Sequence, residues 1–334
     1  MELTRLLAIF IGTYTSPGGS EGIYQALLDI QTGELTQKKL FAKLQNPSYL
    51  LRRGEILYAV SEKANGEVWG FDMKGEEINH QPTGGDYPCH LDHDGDGIVV
   101  ANYNKGVFAR YFLSAKGEIQ TPEFFTNKGS GSNKSRQDAS HAHYIGETEK
   151  NLFACDLGTD EVLIFKKGSL ANPTRFKTTP GAGPRHAAFD ATRNVLFVNN
   201  ELNCTVSALK FDDNKGTLKE LNTLSTLPAG TDLKGMSTAE IRVFQNKFVY
   251  VSNRGHHSIA SYAIQKDGKL KLIEITPAGV KTPRGMNIDP SGNWLLVAGQ
   301  DDNIIKSFRI NTKTGKLTPS GFSLAVSKPV DICF

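Results

Sequence analysis

The chain has 334 residues, 39% of them hydrophobic, with 38 Lys and Arg set against 35 Asp and Glu. A net charge of +3 is too balanced for a surface built to hold nucleic acid or an anionic membrane, so neither is expected as a partner. Four cysteines, at 89, 155, 204 and 333, lie in different segments without Cys-x-x-Cys spacing and read as free, buried thiols of a cytoplasmic protein.

The first apolar run, Leu6 to Ile11, is too short to span a bilayer and lacks a signal-type cleavage site, which predicts a strand. With Gly22-Ile-Tyr24 and Gly33-Glu-Leu35 it makes the second, third and fourth strands of a unit that has no first. From residue 46 onward the unit is whole. Asn46-Pro-Ser-Tyr-Leu-Leu pairs with Ile56-Leu-Tyr-Ala-Val-Ser-Glu62, Tyr87-Pro-Cys-His-Leu with Ile98-Val-Val-Ala-Asn-Tyr103, and Ser140-His-Ala-His-Tyr-Ile with Leu152-Phe-Ala-Cys-Asp156. The next copy runs from Gly181-Ala-Gly-Pro-Arg-His186 to Asn200-Glu-Leu202, and two more centre on Thr238-Ala-Glu-Ile-Arg-Val with Ser252-Asn-Arg-Gly255 and on Thr282-Pro-Arg-Gly-Met-Asn-Ile with Trp294-Leu-Leu-Val-Ala-Gly-Gln300. Each is an apolar run, a polar turn and a β-branched run ending in polar residues, which is a hairpin. A third strand and often a Gly-x-Leu follow, as in Asp267-Gly-Lys-Leu270. The tail, Lys328-Pro-Val-Asp-Ile-Cys-Phe334, is a first strand with nothing after it.

Repeats of about 40 to 55 residues with four short strands each are β-propeller blades. Six whole units plus one shared between head and tail predict an all-β, seven-bladed propeller, a single domain over residues 1–334 with no open sheet edge at its closure. Two segments stand outside the repeat chemistry. Thr126 to Gln137, rich in Gly, Ser and Lys, reads as a mobile surface loop, with a binding lid as the alternative. Asp92-His-Asp-Gly-Asp-Gly97 copies half of an EF-hand calcium loop, but Tyr103 stands where the bidentate Glu is needed, so it reads as a hairpin turn.

In a propeller the innermost strands line an axial channel, and residues before the first strand and after the second gather at one mouth of it. The first group holds His90, His141, His143, Arg185, Glu240 and Arg284; the second holds Glu62, Asn102, Tyr103, Asp156, Asn200, Glu201, Asn253, Arg254, Gln300 and Asp301. Three arginines among histidines and carboxylates exceed what solvating strand ends requires and point to a small anionic ligand.

The ordered set Ile9-Phe-Ile-Gly-Thr-Tyr-Thr15, His141-Ala-His143, Asp156-Leu-Gly-Thr-Asp160, Gly183-Pro-Arg-His186, Asn200-Glu-Leu202 and Ser252-Asn-Arg-Gly255 resembles the seven-bladed propeller lactonases. That family includes cycloisomerase-type 6-phosphogluconolactonases and the fungal carboxy-cis,cis-muconate lactonising enzyme. The resemblance implies an active site of Arg185, Glu201, Arg254 and a histidine of the His141-Ala-His143 pair. Strand alternation puts both histidines on one side and leaves the choice open, while it sends His186 to the opposite face, between blades. Arg284 and Lys105 are further cations for the substrate, with Asn102, Tyr103, Asp156, Asn200 and Gln300 as polar contacts.

Opening a lactone requires a base for water, a partner for the oxyanion and an acid for the ring oxygen. Glu201 is the expected base, an arginine the oxyanion partner and a histidine the proton donor. No Gly-x-Ser-x-Gly elbow occurs, so direct attack by water is expected. The resemblance implies hydrolysis of 6-phospho-D-glucono-1,5-lactone in the pentose phosphate pathway. The alternatives are a lactonising or delactonising reaction on another carboxylated substrate, such as a muconate, and a non-catalytic binding propeller. No cofactor is expected, and three guanidinium groups at the mouth would repel a metal ion.

Overall fold

The computed structural model describes residues 5–334, whose 28 strands form seven antiparallel sheets of four strands each. Six sheets take four consecutive strands: blade 2 over residues 50–82, blade 3 over 86–126, blade 4 over 142–177, blade 5 over 184–225, blade 6 over 237–277 and blade 7 over 283–325. Blade 1 is the shared one, with strand order Pro329–Cys333, Leu6–Thr13, Gly22–Asp29 and Leu35–Lys43. The C-terminal strand pairs in the register Phe10 with Cys333, Ile11 with Ile332 and Gly12 with Asp331, closing the ring as the sequence predicts.

Second strands such as Val195–Asn200 are buried along their whole length, because each blade's middle is covered on both faces by its neighbours. Seven apolar clusters fill the seven gaps between blades. The closure is packed like the rest: Phe10, Ile23, Leu57, Phe71 and Cys333 join blades 1 and 2, while Ile9, Ile11, Trp294, Leu296 and Ile332 join blades 7 and 1. The Gly-x-Leu signal has a steric cause. Gly33 has φ +79°, and a Cβ there would lie 2.5 Å from the Trp294 ring, while Leu35 beyond it is buried in the cluster between blades. All four cysteines are buried free thiols. The half EF-hand is the hairpin turn of blade 3, where Asp94 is paired with Arg110 and accepts from the Gly168 amide.

Candidate active site

One backbone device places the side chains of the mouth. In six of the seven blades the first strand carries a register shift against the second near its start. The extra residue is Val330 in blade 1, Cys89 in blade 3, His143 in blade 4, Arg185 in blade 5 and Arg284 in blade 7; in blade 6, Ala239 and Glu240 together oppose Ser252. Such β-bulges re-aim a side chain and break the strict alternation of faces. Cys89, Arg185, Glu240, Arg284 and Val330 accordingly share the axial channel with Ser48, Tyr49, Glu62 and His186. The free space among these residues is about 10 Å³, barely that of one water, so the mouth above is a blind cup.

Glu201 is the hub of the cup. It is 3% exposed and its carboxylate touches three guanidinium groups. Oε2 lies 2.9 Å from Arg185 Nε and 2.9 Å from Arg254 Nη2, and Oε1 lies 2.6 Å from Arg136 Nη2. Burial opposes ionisation, but Arg254, Arg185, His143 and Arg136 outweigh it and hold the carboxyl far below the ordinary Glu range. Burial, with the repulsion of Arg185 and Arg284, pushes Arg254 down to about 10, still a cation at neutral pH. Arg254 Nη2 also donates to the Thr238 carbonyl at 3.0 Å, and its buried Nε has no acceptor among the described residues. Arg185 Nη1 donates to the Ala239 carbonyl at 2.6 Å, which leaves its Nη2 edge for a ligand. Arg284 stands across the channel over the Tyr14 ring, whose hydroxyl donates to Glu62 at 2.9 Å.

Arg185 reaches the cup because the preceding turn is tied down. Gly183 has φ +64°, and a Cβ there would strike Leu202 at 2.6 Å. The Gly181 and Gly183 amides donate to Asp160 at 2.7 and 2.8 Å, so the Asp-Leu-Gly-Thr-Asp segment of blade 4 fastens the loop that carries Arg185. The same Asp160 accepts from Gln137 Nε2 at 2.7 Å, which anchors the segment before blade 4. That segment, expected as a mobile surface loop, instead folds over the mouth and delivers Arg136 to Glu201. Sequence reasoning missed Arg136, since a loop has no periodicity from which its destination can be read.

The two histidines of blade 4 differ. His141 precedes the strand, stacks on Tyr103 at 4.5 Å and has both ring nitrogens occupied, Nδ1 at 3.1 Å from the Tyr103 carbonyl and Nε2 at 3.1 Å from Asp138. His143 sits in the bulge, 5.6 Å from the Tyr103 ring, with Nδ1 3.7 Å from Cys89 Sγ. Burial, then Arg185, lowers its proton affinity well below that of an ordinary histidine, so the ring is neutral. The expectation that His186 packs between blades is wrong. The Arg185 bulge turns both consecutive side chains toward the axis, and His186 meets His90 at 5.1 Å and His143 at 5.2 Å.

Several predicted contacts lie elsewhere. Asn102 Nδ2 donates to the Thr83 and Val107 carbonyls, Asn200 Nδ2 to Thr205 and Ser207, and Asp156 accepts from the His141, Gly158 and Thr159 amides. These polar ends of second strands cap their own turns, and the remaining Asn102 and Asn200 Oδ1 atoms are buried without a partner among the described residues. Gln300 Nε2 donates to Asp301 at 3.3 Å and its Oε1 is buried without a partner among the described residues, while Lys105 pairs with Asp86 at 3.0 Å with most of its side chain in solvent. Tyr103 and Arg284 stay at the site.

The comparisons agree with this architecture. The family pattern described as "Lactonase, 7-bladed beta-propeller" matches residues 8–334. The chain belongs to that lactonase family. It is 34% identical to the 6-phosphogluconolactonase of Bacillus subtilis (strain 168), over 97% of each chain. Among solved structures, a protein from Lactobacillus plantarum superposes with a TM-score of 0.92 at 29% identity, covering 98% of this chain and 99% of that one. The periplasmic gluconolactonase of Pseudomonas aeruginosa superposes with a TM-score of 0.89 at 26% identity, covering 98% of each. The chain is therefore a lactone-hydrolase-type enzyme.

Proposed function

We propose that this lactonase hydrolyses 6-phospho-D-glucono-1,5-lactone to 6-phosphogluconate by direct attack of water, in the cytoplasm. The carrying observation is the convergence of Arg136, Arg185 and Arg254 on one buried carboxylate, with Arg284 and His143 on the same cup. Glu201 and Glu62 do not neutralise Arg136, Arg185, Arg254 and Arg284, while Glu240 is paired with Arg242, so the cup attracts an anion.

The lactone carbonyl oxygen takes the free edge of Arg185 Nη2 and the orphan Arg254 Nε, donors that strengthen as negative charge develops. Glu201 stays ionised, and its two oxygens are already engaged by three guanidinium groups, which leaves it badly placed to take a proton from water. Its part is to gather the guanidiniums, and the proton passes to His143, whose neutral ring accepts it from water. The same imidazolium then returns the proton to the ring oxygen as the C–O bond breaks, leaving a carboxylic acid and a free hydroxyl. His141, with both nitrogens held, orients Tyr103 rather than moving protons. Arg136, on the loop and partly in solvent, is the cation for the phosphate.

The test is timed hydrolysis of the phosphorylated and unphosphorylated gluconolactones, corrected for spontaneous opening, by the parent and Arg136→Ala. The parent should prefer the phosphorylated lactone. The variant should raise KM for that substrate about tenfold, the loss of one charged hydrogen bond, and change the other little. Equal parental KM values for the two lactones would remove the phosphate from the assignment and favour gluconolactone itself.

A further inference from the structure

Beneath Arg185, along the nearly filled axial channel, lies a hydrogen-bonded pair that the proposed reaction does not use. His186 is 2% exposed and Glu240 1% exposed. His186 Nε2 is 3.2 Å from Arg185 Nη1, and His186 Nδ1 is 3.0 Å from Glu240 Oε1. A guanidinium nitrogen can only donate, so His186 Nε2 must be the bare acceptor, and the ring's single proton must sit on Nδ1, facing the Glu240 carboxylate. The opposite tautomer would set N–H against N–H at Arg185 and lone pair against carboxylate at Glu240. Protonation of the ring would do the former as well, and burial together with Arg185, Arg242, Arg284 and Arg254 keeps the ring neutral.

Glu240 is itself immobilised. The same Oε1 accepts from Arg242 Nη1 at 2.8 Å and from the Ile241 amide at 3.0 Å, and the Glu240 amide donates to Ser252 Oγ at 2.9 Å. The imidazole is wedged among Tyr49, His90, His143 and Tyr144. Arg185 is thus held at three points: Nε by Glu201, and Nη1 by the Ala239 carbonyl and His186. What remains unheld is the Nη2 edge, which the proposed reaction uses.

We infer that Glu240 and His186 form a positioning dyad that fixes, through one histidine tautomer, the orientation in which Arg185 presents its free edge to the lactone. This rests on the proposed role of Arg185, and the bulge explains how it arises: one inserted residue puts Arg185 and His186 on the same side of one strand. Orienting partners of this kind typically change activity by about 10- to 100-fold where they support metal ligands, and a similar scale is expected here.

Two substitutions separate position from bulk. In His186→Gln the side-chain amide oxygen can stand where Nε2 stood and accept from Arg185; in His186→Asn the shorter amide reaches only toward Glu240. His186→Gln should keep kcat within about threefold of the parent, while His186→Asn should lose about tenfold or more in kcat with KM little changed. The Arg185 Nη1–H signals in the nitrogen-15 NMR spectrum, slowed by the contact with His186, should persist in the parent and the Gln variant and shift or exchange faster in the Asn variant. Independently of any variant, the nitrogen-15 shifts of His186 in the parent should show the Nδ1–H tautomer. Equal kcat and equal Arg185 signals in folded Gln and Asn variants overturn the inference, as does an Nε2–H tautomer in the parent. The NMR readouts need no turnover, so they decide the dyad even where the lactone assignment fails.

Discussion

The carboxylate of Glu201 is the most informative single perturbation. Glu201→Gln keeps the shape and one acceptor but removes the charge that Arg185 and Arg254 face at 2.9 Å each. Arg136 contributes little to stability, because its side chain is 42% exposed and solvent screens the pair. Breaking a buried ion pair by removing one partner costs about 3–5 kcal/mol, and the retained amide oxygen puts the Gln variant near 3 kcal/mol. At roughly 2 °C per kcal/mol for a chain of this size, the melting temperature should fall by about 6 °C. The pH dependence follows from the direction of the shift. The folded-state pKa is depressed below the ordinary 4.5, so the stabilisation is complete above that value and is lost only as pH falls toward the folded pKa. The Tm gap between parent and variant should therefore be flat from pH 8 to about pH 5.5 and shrink below about pH 4. Loss of the hub charge should also tighten binding of the product anion, and kcat should fall by about tenfold through misplaced arginines. Thermal melts, calorimetry with 6-phosphogluconate and steady-state rates measure all of these. A kcat loss of about 10³-fold with unchanged melting would refute the reasoning and make Glu201 the base.

The rate profile supplies a second check: His143 is held neutral well below 6.5, so kcat/KM should remain level through pH 6.5 and decline only at more acid pH, whereas a decline centred at or above 6.5 points to another base. Deleting residues 328–334 removes the strand that pairs with Phe10–Thr13 and buries Ile332, so the truncated chain should aggregate or fail to fold; a soluble product with parental melting contradicts ring closure. Treatment with a chelator should leave activity unchanged, since the guanidiniums of the cup repel a cation; activity lost to chelator and restored by calcium, magnesium or zinc would overturn this.

The sequence alone determined the blades. Strand periodicity, Gly-x-Leu turns and an unpaired first strand at the C-terminus are local patterns, and each blade buries its own two faces, so counting them yields seven blades and a shared closure. Arg185, Glu201 and Arg254 were singled out by the resemblance of Gly-Pro-Arg-His, Asn-Glu-Leu and Ser-Asn-Arg-Gly to the lactonase family, since the repeat alone gave only a longer set of polar residues at the mouth. Tertiary structure decided which side chains meet. Alternation predicts opposite faces for Arg185 and His186, but a bulge adds one residue and reverses every parity after it. A signal for those bulges was present in Pro88, Pro184, Pro283 and Pro329, each directly before an inserted residue, where a missing amide costs no ladder bond. Asn102, Asp156 and Asn200 looked like ligand contacts because a polar strand end reads the same whether it faces a channel or caps its own turn. Arg136 carried no signal at all, arriving at Glu201 from a loop 65 residues away in sequence. The chemistry of Glu201 was beyond the sequence too: whether a carboxylate is a base or an anchor depends on how many cations stand within 3 Å of it, and that distance exists only once blades 4, 5 and 6 have closed around the channel.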